Sequence, residues 1–270
     1  RGRSPSEGYR KSITVLPERI HRMDMVLQER KIRLSKAVRL RDAFTGEPVS
    51  AGITLRTLSG GRVEKKREGY FLFLDVGSPV FEVEIESSVY QRQKLHLPAD
   101  SGACVEEILL YPSPAYPLRE GVTVVRGRTQ PGSVLRFHVR DGQGNVRLIR
   151  DYRKGEEAIS FYIKDRISGT FWYVWKKGKE EGEYFRAERH GEEGEQYRLK
   201  KPLAFDYQKK DTLICPARES IADEEGEFYL LLPELCQEKC ILHFNRENEG
   251  EVTEGELEIV RGLKNNFILK

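Results

Sequence analysis

One short sequence motif occurs twice in this chain, and a repeated strand motif restricts the possible folds more than any other feature of the sequence. It lies at residues 68–76 and again at residues 225–233. Each copy consists of a charged residue, a glycine and a run of aromatic and aliphatic residues. Glycine can adopt positive φ at a tight turn, and so short an apolar run is typical of a core strand. Each copy therefore predicts a turn that leads into a central strand.

Apolar and polar residues alternate between Lys36 and Leu110, which predicts β-structure throughout this stretch. Val38 and Leu40 alternate with arginines, and the apolar residues of segment 81–85 alternate with glutamates. A period of two marks strands that have one buried and one solvated face. Turn residues separate the runs, so we expect roughly six or seven short strands packed as a small sandwich.

Several of these segments together resemble the carboxypeptidase regulatory-like domain, a transthyretin-like or prealbumin-like sandwich. The resemblance covers residues 36–112 and is carried by a strand that ends in Asp42, the turn Thr45-Gly46-Glu47-Pro48, the strand after Gly69 and the late aromatic residue Tyr90. It implies an Ig-like fold and a spacer or attachment module that forms no active site of its own.

Three prolines within residues 111–117 mark a boundary between two halves of the chain. Proline removes backbone donors and favours an extended, semi-rigid spacer. We therefore predict four regions: an arm at 1–35, a sandwich at 36–110, a linker at 111–120 and a second unit at 121–270. A proline-rich ligand for a recognition domain is the alternative interpretation of the linker.

The second unit is predicted to be a diverged copy of the first. Its copy of the repeated motif, at Gly226, is followed by predicted strands near 240–244, 256–260 and 267–269, in the same order as in the first unit. The Asp-x-x-Thr-Gly-x-Pro turn of the first unit is missing from the second. The extra length at about 150–210 predicts a β-hairpin insertion, with the charged segment 176–200 as its solvated arm. The predicted fold class is thus all-β: two tandem Ig-like or transthyretin-like sandwiches, the second enlarged by a hairpin, after an extended amino-terminal arm.

The arm is basic, because residues 1–41 hold twelve Lys and Arg against four Asp and Glu, whereas the net charge of the whole chain is +3. Such a charge favours an acidic protein surface, and nucleic acid is an unlikely partner because Tyr9 is the only aromatic residue there that can stack on bases. Apolar residues of the arm need another surface to cover them, such as an exposed strand edge. The residues predicted to contact a partner are Ile13, Val15, Ile20, Met23, Leu27, Ile32 and Leu34.

Aromatic side chains occupy both faces of the strand predicted at residues 171–175. Trp172 and Val174 should face one side, and Phe171, Tyr173 and Trp175 the other. One side is then core, and the other needs a cover from the insertion or from a partner. If the rings are exposed instead, Trp172, Tyr173 and Trp175 form an alternative ligand-binding site for sugar rings.

No catalytic residue, metal site or cofactor is predicted. The five histidines form no His-Glu-x-x-His motif, and no nucleophile elbow or phosphate-binding loop is present.

The cysteines are expected to be reduced thiols, as in a cytosolic protein, with a disulfide as the alternative for one close pair. No run is long enough to cross a bilayer and no signal peptide is evident, so no membrane partner is expected. The cysteines are Cys104, Cys215, Cys236 and Cys240, of which the last two form the close pair.

These observations predict a non-enzymatic, structural protein that docks through its arm onto other subunits of a larger assembly or onto itself. Tyr116-Pro117 ahead of segment 123–127 resembles accessory proteins of phage tails and of bacterial contractile injection systems. The expected location is the cytoplasm or a particle assembled there. The alternative is a surface-exposed adhesion module that binds carbohydrate or peptide through the aromatic strand and the charged hairpin.

Overall fold

A computed structural model describes residues 32–100, 104–140, 146–162, 171–178, 182–190, 196–232 and 237–269 of the chain. These residues contain strands, turns and irregular segments but no helix, so the predicted all-β class is confirmed. The strands are β1 (Leu34–Asp42), β2 (Ile53–Thr57), β3 (Arg62–Lys65), β4 (Tyr70–Leu74), β5 (Val80–Ser87), β6 (Gln93–Pro98), β7 (Glu106–Leu110), β8 (Thr123–Arg128), β9 (Val134–His138), β10 (Val146–Leu148), β11 (Ala158–Tyr162), β12 (Phe171–Lys176), β13 (Gly182–His190), β14 (Gln196–Leu199), β15 (Thr212–Ile221), β16 (Glu227–Leu232), β17 (Lys239–Asn248), β18 (Glu251–Val260) and β19 (Lys264–Ile268).

Strands β1–β7 form two sheets that share one core, and we call this part the first sandwich. One sheet has the order β3-β4-β1-β7 and the other the order β2-β5-β6. Strand β1 is antiparallel to β4 and parallel to β7. The alternation predicted from the sequence is what fills the core, since the inward-facing residues of both sheets meet there. They include Val38, Leu40, Phe71, Phe73, Phe81, Val83, Ile85 and Leu110.

The same pairing scheme recurs in strands β8, β9 and β16–β19, which we call the second sandwich. Strand β8 is antiparallel to β16 and parallel to β19, as β1 is to β4 and β7. Strands β9, β17 and β18 pair in the antiparallel order of β2, β5 and β6. The residues of this second core include Val125, Leu135, Phe137, Phe228, Leu230, Leu242 and Ile259.

The two glycines of the repeated motif occupy equivalent positions in these two sandwiches. Gly69 and Gly226 each have φ of +77°. The carbonyl of each accepts a 2.9 Å hydrogen bond, from the N–H of Leu40 and from that of Thr129 respectively. A Cβ at Gly69 would lie 2.7 Å from the Leu40 carbonyl oxygen, and one at Gly226 would collide with the Thr129 carbonyl oxygen. Only glycine suits the backbone in either place.

The strands of the segment predicted as a β-hairpin insertion form most of a barrel, so the prediction of a hairpin was wrong. Strands β10-β11-β14-β13-β12-β15 pair in that order, and an additional pairing of β10 with β15 closes the ring. All six pairings are antiparallel. Residues packed inside include Val146, Leu148, Ile159, Phe161, Trp172, Val174, Phe185, Tyr197, Leu199 and Ile214.

The charge-rich segment 176–200 does contain a hairpin, formed by β13 and β14, but this hairpin is part of the barrel wall. Phe185, Ala187, Tyr197 and Leu199 are buried inside the barrel. Their charged neighbours face outward, so the high charge of the segment conceals a period-two pattern of buried residues. A solvated arm was therefore the wrong interpretation of this stretch.

Strand β15 belongs to the barrel and to the second sandwich at once. Residues 212–216 pair with β12, and residues 217–221 pair with β9. A single nine-stranded sheet thus runs from the barrel into the sandwich. Because the two parts share a strand, one cannot move far from the other without breaking main-chain hydrogen bonds.

The predicted boundary of the arm at residue 35 falls inside β1, which begins at Leu34. Ser35 and Lys36 are buried, and the Lys36 ammonium lies 3.0 Å from Asp100 and 3.1 Å from Glu106. Residues 1–31 lie outside the described residues, and the predicted extended arm falls there.

The linker differs from the extended spacer that its prolines predict, because its first half packs on the first sandwich. Tyr111 is buried, and its carbonyl accepts a 2.8 Å hydrogen bond from the Gln91 N–H. A turn follows, in which the Tyr116 N–H donates to the Ser113 carbonyl at 3.0 Å. Residues 33–270 consequently cluster as one compact unit.

Candidate functional site

Asp42, the last residue of β1, joins the linker to the first sandwich. Its buried carboxylate accepts hydrogen bonds from the N–H groups of Phe44 at 2.7 Å and Thr45 at 3.0 Å through one oxygen. The other oxygen accepts hydrogen bonds from the hydroxyls of Tyr90 at 2.8 Å and Tyr116 at 2.5 Å. Hydrogen bonds to a charged acceptor are the stronger kind, so this residue fixes both the turn after β1 and the linker.

Both tyrosine hydroxyls at this site remain donors over the physiological pH range. Burial raises the pKa of Tyr90 and of Tyr116, and the hydrogen bond to the negatively charged Asp42 raises it further. A hydroxyl in such surroundings loses its proton only at strongly alkaline pH.

An apolar contact joins the first sandwich to the second at the same place, and we call the whole arrangement the junction. Phe44 and Tyr116 pack with Val122, the residue before β8, against the outer face of β8 and β16. The residues covered there are Val124, Tyr229 and Leu231.

Polar contacts tie the first sandwich to the nine-stranded sheet. The buried Tyr111 hydroxyl donates to Glu219 at 2.6 Å, and Glu219 also pairs with Arg186 at 2.7 Å and Arg136 at 3.5 Å. Burial raises the pKa of Tyr111, and the charge of Glu219 adds to that effect. Two ion pairs, the exposed Lys94 with Glu224 and the half-buried Lys200 with Glu107, lie on the same boundary. Exposed pairs such as the first contribute little to stability.

The aromatic strand β12 divides its side chains between two faces, as predicted. Trp172 and Val174 lie inside the barrel, and Phe171, Tyr173 and Trp175 cluster on the opposite face. Trp172 is 0% exposed, and Tyr173 and Trp175 are each 5% exposed. These rings therefore offer no open face on which a sugar could stack, and their assignment as ligand-binding residues stays a prediction.

The second face of β12 is covered by residues of this chain. His138 stacks on Tyr173 with ring centres 3.7 Å apart, and Tyr184 stacks on Phe171 at 5.6 Å. The Arg186 guanidinium lies 4.7 Å from the centre of the Phe171 ring. The cover that the sequence demands thus comes partly from β9 and β13.

His138 is the centre of a polar network on this face. Tyr184 donates its hydroxyl to the Arg136 carbonyl at 3.1 Å, so its oxygen is left to accept from the His138 Nδ1–H, 2.8 Å away. The other ring nitrogen, Nε2, then accepts from the Arg140 Nε–H at 3.3 Å. This assigns the Nδ1–H tautomer of a neutral ring. Burial, together with the smaller effects of the charges of His243 and Arg140, lowers the pKa of His138 to about 2.

A surface cavity of about 240 Å³ opens beside this network. Its walls come from β9, β12, β13, β17 and β18, and include His138, Tyr173, His243, Asn245, Glu254 and Glu256. His243 stacks on His138 with ring centres 5.1 Å apart, and its Nδ1 lies 3.1 Å from the Glu256 carboxylate. Sequence reasoning missed this site because its residues lie on five strands, and no motif links them.

The residues predicted to contact a partner fall mostly outside the described part of the chain. Ile13, Val15, Ile20, Met23 and Leu27 lie there. Ile32 is 55% exposed, whereas Leu34 is 40% exposed and already part of β1, opposite Leu74.

In the part of the chain that the structure describes, no three His, Cys, Asp or Glu residues are grouped to hold a metal ion. A helix of the length and apolarity that a membrane span requires is likewise absent from those residues. Cys104 is an exposed free thiol, and Cys215 and Cys240 are buried ones. The alternative of a bridge between Cys236 and Cys240 cannot be judged on geometry, since Cys236 lies outside the described residues.

The sequence was matched to protein families and to curated proteins without success. No protein-family model matches the chain, and no curated protein does. The resemblance to the carboxypeptidase regulatory-like domain therefore stays a prediction.

Solved structures give only distant similarity. The shaft pilin spaA from Lactobacillus rhamnosus GG is 11% identical, with 86% of this chain and 96% of that chain covered, at a TM-score of 0.22. A mutant of the same pilin gives 10% identity and a TM-score of 0.23 over the same shares of the two chains. A titin structure gives 7% identity over 87% and 98% of the chains, at a TM-score of 0.14. Scores this low carry no argument about function.

Proposed function

We propose that this chain is a non-catalytic structural protein, in which two tandem Ig-like sandwiches are held at a fixed orientation and docked onto other subunits. The observation that carries the proposal is the junction. Asp42 binds the linker through Tyr116, and the same tyrosine packs with Phe44 against β8 and β16. An apolar contact backed by a buried carboxylate suits a part whose function is to hold neighbours at a set distance.

Two further features support the tandem arrangement. The strand pairings of the first sandwich recur in the second, and Gly69 and Gly226 share the same positive φ and the same close approach of a carbonyl oxygen. Both are expected if one ancestral unit was duplicated. The barrel is then an insertion between the second and later strands of the second copy.

Docking is assigned to the basic arm. Residues 1–31 carry apolar residues next to Arg and Lys, a composition that favours contact with an acidic protein surface. We further propose that the assembly is a phage-tail-like or contractile particle built in the cytoplasm. That step is supported only by the resemblance of Tyr116-Pro117 and segment 123–127 to accessory proteins of such particles.

The alternative function, a carbohydrate- or peptide-binding adhesion module, has one observation in its favour. The cavity beside His138 is large enough for a side chain or a small polar group. The burial of Trp172, Tyr173 and Trp175 counts against an aromatic platform for sugars.

Deletion of residues 1–31 tests the proposal, because it removes the arm and leaves the contact of Arg33 with Asp75 intact. We expect the truncated chain to have the circular dichroism spectrum of a folded β-protein and to sediment as a monomer at every concentration. The full chain should form larger species as its concentration rises. Formation of the same larger species by both chains would contradict docking through the arm.

A further inference from the structure

Strand β18 has a free edge. It pairs with β17 along its whole length, and no described strand pairs with its other side. Its residues up to Glu254 are exposed, and Val252 is 58% exposed. An open edge of this length is a template on which an extended peptide can add as a further strand.

The turn between β17 and β18 determines which main-chain groups face that edge. Glu249 and Gly250 have φ of 49° and 86°, as in the type I′ turn of a two-residue hairpin. Asn248 and Glu251 are then a hydrogen-bonded pair, and such pairs alternate along an antiparallel ladder. The register from that pair onward has no break. The N–H and C=O groups of Val252, Glu254 and Glu256 therefore point away from β17, towards the free edge.

The cavity beside His138 adjoins the same edge and is rich in hydrogen-bond acceptors. Glu254 and Glu256 line it together with the aromatic residues Tyr173 and His243. The buried Asn245 Oδ1 has no hydrogen-bond partner in the described structure, while the Nδ2 of the same residue donates to Glu254 at 3.4 Å. Carboxylates next to aromatic rings suit an ammonium or guanidinium group.

Arg140 also lines the cavity, but its guanidinium is engaged with the aromatic network. It lies 5.8 Å from the centre of the Tyr173 ring and donates to His138. Lys239 lies 3.3 Å from Glu258. These two basic residues do not offset the four glutamates of β18, Glu251, Glu254, Glu256 and Glu258, of which the last three alternate with neutral residues. The edge is therefore acidic.

We propose that β18 accepts an extended basic strand, and that this strand is segment 10–16 of a second copy of the chain, with one basic side chain in the cavity. This inference rests on the proposed docking through the arm and names its acceptor. Segment 10–16 begins with Arg10 and Lys11 and continues with Ile13 and Val15 in period two, the pattern of a strand.

Charge explains why β18 should bind segment 10–16 in preference to the β18 edge of another folded unit. Two β18 strands side by side would place glutamates next to glutamates, and like charges on neighbouring strands are destabilising. The acidic row thus prevents edge-to-edge pairing of the folded units and selects a basic strand. Main-chain hydrogen bonds supply affinity, and the cavity supplies specificity.

Charge reversal in the full chain tests the assignment. We expect Glu254→Lys with Glu256→Lys to weaken self-association by about tenfold or more, as measured by sedimentation velocity over a concentration series. Adding Arg10→Glu and Lys11→Glu to that variant should restore association, because the two strands then carry opposite charges again. The matched control is Glu120→Lys with Glu225→Lys, which alters two exposed carboxylates elsewhere and should leave association unchanged.

A second measurement excludes misfolding as the cause. Amide hydrogen exchange at residues 252, 254 and 256 should slow as the wild-type chain associates, and should stay fast in the Glu254→Lys/Glu256→Lys variant. Suppose that this variant associates like the wild type while deletion of residues 1–31 abolishes association. The arm then docks at a surface other than β18, which contradicts this inference and leaves the proposed function unchanged. If the wild-type chain stays monomeric at every concentration, the second copy is not the partner and the inference also falls.

Discussion

At Gly69 and Gly226 the absence of a side chain decides whether the turn before each central strand can form. Both positions combine a left-handed backbone with a carbonyl oxygen where a Cβ would sit. Sequence repetition revealed these glycines, and the structure adds the reason for them. At most other turn glycines, such as Gly250, the space that a Cβ would occupy is open.

Gly226→Ala should therefore destabilise the protein more than Gly250→Ala. Both changes force alanine into positive φ, which costs about 1–2 kcal/mol, but only Gly226→Ala also pushes against Thr129, which adds about 1–3 kcal/mol. Urea denaturation of the two variants measures the difference. Equal losses would mean that the collision is relieved by a small shift of the backbone and that strain alone matters.

His138 should make the folded state sensitive to acid. The pKa of this buried ring is about 2 in the folded chain, against about 6.5 in an unfolded one. Below pH 6.5 this histidine is protonated in the unfolded chain but stays neutral in the folded one. The free energy of unfolding is therefore highest above pH 6.5 and decreases as the pH falls below it. At pH 5 the loss is about 2 kcal/mol.

Urea midpoints at pH 7 and pH 5 measure this effect, with His138→Gln as the comparison. The groups that face the ring, Arg140, Tyr173, Tyr184 and His243, remain in the variant. The variant should lose less stability than the wild type over this interval. Parallel losses in the two proteins would show that the acid sensitivity arises from other groups.

At the scale of elements, the barrel is the part that the sequence did not predict. The central strands, the aromatic strand and the two faces of β12 follow from short-range patterns, and the structure has them where the patterns indicate. Closure of the barrel depends on the pairing of β10 with β15, in which Val146 lies opposite Ile214. Residues so far apart leave no periodic signal in a single sequence, and dense surface charge on β13 and β14 conceals their buried faces.

The candidate site shows the same limit. Asp42 was recognisable as the end of a strand motif, but its bonds to Tyr90 and Tyr116 join segments that no motif connects. His138, Tyr184 and His243 were visible only as separate residues, because their contacts run across neighbouring strands of the sheet.

Trp172→Ala should destabilise the barrel and the second sandwich together. Trp172 is fully buried in the barrel core, and truncation of such a side chain costs about 3–5 kcal/mol. Because β15 belongs to both parts, one cooperative transition should move to lower urea concentration. Phe205→Ala, at a residue 39% exposed, is the control and should cost less than about 1 kcal/mol. Two separate transitions in the Trp172→Ala variant would contradict the coupling.

At the scale of the whole molecule, the proposed structural role depends on a junction that does not bend. Prolines alone predict a stiff spacer, but the structure fixes the linker in a different way, through the buried Tyr111, which bonds Glu219, and the partly buried Tyr116, which bonds Asp42 and packs against β8 and β16. Loss of the apolar contact made by Phe44 and Tyr116 should leave each core intact, since both residues are only partly buried, and should free the two sandwiches to reorient.

The distance distribution between spin labels on the two sandwiches shows whether their separation is fixed. Labels at Thr54→Cys on β2 and Glu251→Cys on β18, with Cys104 and Cys236 replaced by serine, can be measured by double electron–electron resonance. We expect one narrow peak in the otherwise wild-type chain and a broad distribution once Phe44→Ser and Tyr116→Ser are added. A broad distribution before those two changes would contradict a fixed separation and, with it, the structural role.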